Sequence, residues 1–142
     1  MQAELPIYQD NDCSVIVVSN LTNCSYNEAV DVLRFFGRKD GDGCYDETIC
    51  YALMAQGYRY RKFDVRPAKT IKSLTKWWTA HKRWMLRGPF NLMVTTHDHV
   101  FCYIGCNKLD LSLISDLSRI ENVWLVNKKP FQKNPEKDLT TA

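Results

Sequence analysis

Between residues 13 and 21 the chain reads CSVIVVSNL, a run that is apolar on almost every side. Its β-branched residues favour a strand, while all-round apolarity is also the mark of a fully buried helix, so periodicity alone leans towards a strand. The next segment, SYNEAVDVLRFFGR, is unambiguous: Ser25 and Glu28 form a capping box, Tyr26, Ala29, Val30, Leu33 and Phe36 recur near helical spacing, and Gly37 is a stop. YDETICYALMAQGY repeats the grammar, with Asp46 as the cap, Ile49, Leu53 and Met54 on one face, and Gly57 at the end. After it YRYRKFDV alternates like a half-exposed strand. TIKSLTKWWTAHK then predicts a helix capped by Thr70 that buries Ile71, Leu74 and Trp78. From Phe90 onward the texture changes to short apolar or alternating runs, FNLMVTT, HVFCYI, LDLSLI and NVWLV, which read as strands.

Helices first and an antiparallel sheet afterwards is an α+β arrangement. Without repeats, low-complexity stretches or an internal linker, residues 1–126 read as one domain, and the polar, proline-containing stretch 127–142 as a loose tail. A chain of 142 residues buries an adequate core without staples, so its six cysteines are not needed as disulfides. The first twelve residues lack the pattern of a secretory leader, and no run approaches the ~20 apolar residues of a membrane span. A reducing, cytoplasmic setting with free thiols is therefore expected. The net charge of +3 is too small to make the whole chain a nucleic-acid binder.

A cysteine nucleophile requires a lowered thiol pKa, a histidine base and a group that orients that base. Cys13 has a candidate for each. If its segment is a helix, Cys13 occupies the first turn, where free backbone N–H groups and the positive dipole end favour a thiolate. Asp12 opposes this by charge and is instead a cap. His99 would share a strand face with Phe101 and Tyr103. With IGCN as a hairpin loop, Phe101 pairs with Asp110 and His99 with Ser112, which brings Asp110 diagonally to within about 7 Å of His99. A different loop would leave Asn107, Ser112 or Asp98 as the orienting group.

The order of these motifs, NDC before an apolar segment, SYNEAVDVLRFFGRKDG, ALMAQGY and HVFCYIGCNKLDL, resembles small phage and bacterial proteins of the papain-like cysteine peptidase superfamily, near the C39-like peptidases. The likeness spans roughly residues 9 to 112. It implies a buried central helix at 13–21, Cys13 as nucleophile, His99 as base and Asp110 as orienter. It also implies a peptide or isopeptide bond of a protein as substrate and, for a phage-encoded chain, a host protein in the host cytoplasm as target. Three positions depart from the pattern: Ser14 replaces a glycine, Ile7 stands where an oxyanion glutamine is usual, and Asp98 replaces the glycine before the histidine. Gln9 or Asn11 would then supply the oxyanion contact.

The basic, aromatic region 59–87 has its own readings. Exposed Trp77, Arg83 and Trp84 would anchor a protein partner, either for the enzyme or for a non-catalytic inhibitor of a host factor on the same fold. Stacking of Trp77, Trp78 and Trp84 on single-stranded nucleic acid is a weaker alternative to an amphipathic helix with a solvated basic face. His97, His99, Cys102 and Cys106 lie close together in sequence, but as zinc ligands they would straddle one hairpin rather than two knuckles. Neither a metal nor a cofactor is expected.

Overall fold

The computed structural model describes residues 8–64, 69–85, 91–97, 99–105, 107–109 and 118–128, with backbone alone for 81–85 and 128. Four helices, α1 (Cys13–Thr22), α2 (Tyr26–Phe35), α3 (Asp46–Ala55) and α4 (Ile71–Met85), accompany five strands, β1 (Tyr58–Lys62), β2 (Asn91–Thr95), β3 (Val100–Ile104), β4 (Asn107–Leu109) and β5 (Asn122–Lys128). The strands form one antiparallel sheet in the order β1-β5-β2-β3-β4. The α+β architecture is thus as expected, although β1 interrupts the run of helices. Strand β5 also continues past the boundary drawn at residue 126.

Each face of the sheet buries its own core. Met93, Val100, Cys102 and Val126 pack on α1, α2 and α3. Leu92, Val94, Phe101, Tyr103, Val123 and Leu125 turn the other way, against Ile71, Leu74 and Trp78 of α4. That division is the period-2 alternation of a strand covered on both sides.

The segment 13–22 is a helix and not the strand its composition favours. Val15, Val17, Val18 and Leu21 are buried between the sheet and the neighbouring helices. A few tenths of a kcal/mol of lost helix propensity per β-branched residue is outweighed by about 1.5–3 kcal/mol for each buried side chain. Asn23, at φ 55°, ends the helix in the left-handed conformation. The Ser25 half of the α2 box forms, its hydroxyl accepting from the Glu28 amide at 3.1 Å, and Thr70 caps α4 by accepting from the Ser73 amide at 3.3 Å. In α3 two expectations fail. Asp46 is the first helical residue and Tyr45 takes the cap position, while Met54 faces out, 54% exposed, with Cys50 and Ala52 buried in its place.

Candidate active site

The backbone ahead of Cys13 is held by polar side chains. The Tyr26 hydroxyl accepts from the Gln9 amide at 2.8 Å and donates to the Asp12 carboxylate at 2.9 Å. The Gln9 Oε1 accepts from Arg38 Nη1 at 2.8 Å and from the Gly41 amide at 3.0 Å. Asp40 is held below the usual carboxylate range by the Arg34 guanidinium above all, and it also takes a hydrogen bond from the Gln9 side chain. Asn11, at φ 52°, donates from its side chain to the Gly41 carbonyl at 2.9 Å, and its own carbonyl meets Arg38 Nη2 at 3.4 Å. Gln9 and Asn11 therefore clamp residues 9–12 to α2 and to the turn at 38–41. Neither is among the described residues lining the cleft at Cys13, so the oxyanion role expected of them has no support in their placement.

This clamp delivers Cys13 to the N-terminus of α1, where it meets the start of β3. Burial pushes the Cys13 thiol up, yet a hydrogen bond from the His99 side chain, the backbone amides of Val100 and Ser14, and the charge of the imidazole together hold it below the ordinary thiol value. His99 is fixed in turn. Its carbonyl accepts from the Thr96 amide at 2.8 Å, and its ring stacks on Phe101 with centroids 6.0 Å apart. Phe101 continues to Tyr103 at 5.7 Å, the shared face that the alternation predicts.

The hairpin that follows has the expected register, Tyr103 with Lys108 and Cys102 with Leu109, although Ile104 also pairs with Asn107 and the connection is shorter than the four residues assumed. Asp110, Ser112 and Asp98 lie outside the described residues, as does Cys106. Cys102 is wholly buried in the core facing α1, while His97 is an exposed side chain 3.7 Å from Glu121, so these two do not converge with His99 on a metal.

Cys13 and His99 open onto a cleft of about 800 Å³. Its walls hold residues that periodicity did not single out for chemistry. Ser14 follows the nucleophile and Cys44 lies close to both, while Thr95, Asn122 and Trp124 come from the sheet. Asp46, read from sequence as a cap, reaches across to that sheet. One of its carboxylate oxygens accepts from Thr95 Oγ1 at 3.3 Å, Asn122 Nδ2 at 3.2 Å and Trp124 Nε1 at 3.3 Å. Only the tertiary fold joins those four positions, so no local signal marks them.

Of the expected anchor residues on α4, only Trp77 has a described side chain. Trp78 is buried and donates from Nε1 to the Gly105 carbonyl at 2.7 Å. Trp77 is half-buried against Phe63, ring centroids 5.6 Å apart, which corrects its reading as an exposed anchor. The side chains of Arg83 and Trp84 lie outside the described residues. Among the described residues, no helix is long and apolar enough to cross a membrane.

Comparison with protein-family models, with curated proteins and with solved structures gives no match to the chain.

Proposed function

We propose that this chain is a thiol-dependent acyl-transfer hydrolase that cleaves a peptide or isopeptide bond of a protein substrate through Cys13 and His99. The observation that carries this reading is a helix-N-terminal cysteine whose thiol is depressed by a hydrogen-bonded imidazole at the mouth of an open cleft. Half-burial by itself would raise the thiol, so the depression reflects a specific partnership rather than exposure.

In the reaction the Cys13 thiolate attacks the acyl carbonyl, and its electron pair forms the C–S bond as the carbonyl oxygen takes the charge. That oxyanion lies near the first-turn amides of α1. The His99 imidazolium then protonates the departing amine, leaving a Cys13 thioester and a neutral imidazole. Water, deprotonated by that imidazole, attacks the thioester and releases the acid and the thiol. Asp110 remains the proposed orienter of His99.

The test is acylation by p-nitrophenyl acetate followed by intact-mass and peptide analysis. The reading expects a burst of nitrophenolate, an acetyl group on Cys13 and its slow loss by hydrolysis. Cys13→Ala should abolish the burst, and His99→Ala should retain a folded chain that acylates slowly. Acetylation spread over several cysteines, or a burst undiminished in a stable Cys13→Ala chain, would refute it. The fold would then be left to the other use weighed from sequence, a binding protein without catalysis.

A further inference from the structure

The charge of the cleft runs against that of the chain. The protein as a whole carries +3, yet among the described residues the cleft is lined by four carboxylates, Asp42, Asp46, Glu47 and Glu121, and by one lysine, Lys62. Lys62 is itself drawn over the Trp124 ring, 5.9 Å from its centroid. An acidic recess in a basic protein is not the background of its composition.

Asp46 is the built part of this recess. Three neutral donors from two strands hold one of its oxygens without a cation. Its second oxygen meets no donor among the described residues. Neutral donors hold the carboxylate without placing a counter-charge beside it. The same lining holds a second polar group with hydrogen-bonding capacity to spare. The Ser14 side chain is 1% exposed, and among the described residues its hydroxyl has only the Cys44 thiol to bond. Ser14 and Asp46 line the same cleft as the nucleophile.

We infer that the cleft selects a basic peptide, seating an arginine or lysine side chain beside the scissile bond with its cation on Asp46 and the surrounding carboxylates. This inference rests on Cys13 being the nucleophile. It adds the class of substrate, and it makes Asp46 a specificity determinant. A guanidinium suits the site best, because its fork can take the free oxygen of Asp46 while its remaining N–H groups reach a second carboxylate.

The experiment compares three peptidyl chloromethyl ketones that are identical except for arginine, norleucine or glutamate next to the reactive carbon. Mass analysis of the Cys13 peptide gives each rate of alkylation. The arginine probe is expected to react faster than the norleucine probe by about tenfold or more, the scale of one charge-assisted hydrogen bond, and the glutamate probe slowest of the three. Raising salt should compress the series. Asp46→Asn should collapse the ratio of arginine to norleucine, and the exposed Glu47→Gln should reduce it, which keeps the inference open to refutation if Asp46→Asn melts early. Equal rates for the three probes would overturn the charge selection while leaving Cys13 as nucleophile. Failure of every probe to label Cys13 would remove the nucleophile reading and this inference with it.

Discussion

Cys13 and Cys50 share a chain but not an acid–base character. Imidazole and backbone amides hold the Cys13 thiol down, whereas burial, assisted by the charges of Asp46 and Glu47, pushes Cys50 up to about 12. Cys44, in the same cleft, is also raised, chiefly by burial. Since the thiolate is the reacting form, iodoacetamide should label Cys13 first. Its rate should hold up as pH falls below the ordinary thiol value of about 8.5, where labelling of the other thiols fades. Peptide mapping from pH 6 to 9 checks this, and His99→Ala should move the Cys13 profile to higher pH. By linkage the depressed Cys13 contributes stability that is present above the unfolded thiol pKa and is lost as pH falls through its folded value; the raised Cys50 does the reverse, favouring the fold below the unfolded pKa and ceasing to do so as pH rises. Gln9 offers a second test. Its side chain accepts from buried Arg38 and from Gly41. Gln9→Ala removes that acceptor from a buried cation and should lower stability by about 1–3 kcal/mol, read by denaturant titration. An oxyanion role would instead leave stability untouched.

Elements were legible from sequence to the degree that they are amphipathic. The α2 and α4 helices each bury one face, so Leu33, Leu74 and Trp78 announced themselves by spacing. Alternation likewise gave β3 its two faces and the hairpin its register. For α1 the period carried little information, because a helix enclosed by the sheet and two other helices is apolar all round, and propensity then pointed to the wrong element. Position 46 was misread for a related reason: an acid at a helix start looks like a cap whether it bonds its own helix or a distant strand. Cys13 and His99 could be nominated, but the lining contributed by Cys44, Asn122 and Trp124 required the folded chain. Trp78 tests how one element fastens to another. Its indole joins α4 to the turn between β3 and β4, where the Gly105 amide also bonds Asn91 Oδ1 at 2.9 Å. Trp78→Phe keeps most of the apolar contact but strands the Gly105 carbonyl, so a loss of about 1–3 kcal/mol is expected. Trp78→Ala should cost roughly 3–5 kcal/mol, and paired denaturant curves distinguish the two.

At the scale of the molecule, strand order and chain order disagree. β5 is the last of the described strands in sequence, yet it lies between β1 and β2 in the sheet. Without it β1 has no strand partner among the described strands and β2 keeps only β3. A chain ended after Glu121 should therefore lack cooperative unfolding, as followed by circular dichroism, while retaining every residue of the Cys13–His99 pair. The same disagreement bears on time. During synthesis Cys13 emerges early, but the strand that seats β2, and through it the start of β3 beside Cys13, is made only when residues 122–128 appear. If Cys13 is the nucleophile proposed above, its reactivity is therefore acquired only once β5 has been made, a delay set by the order of the strands.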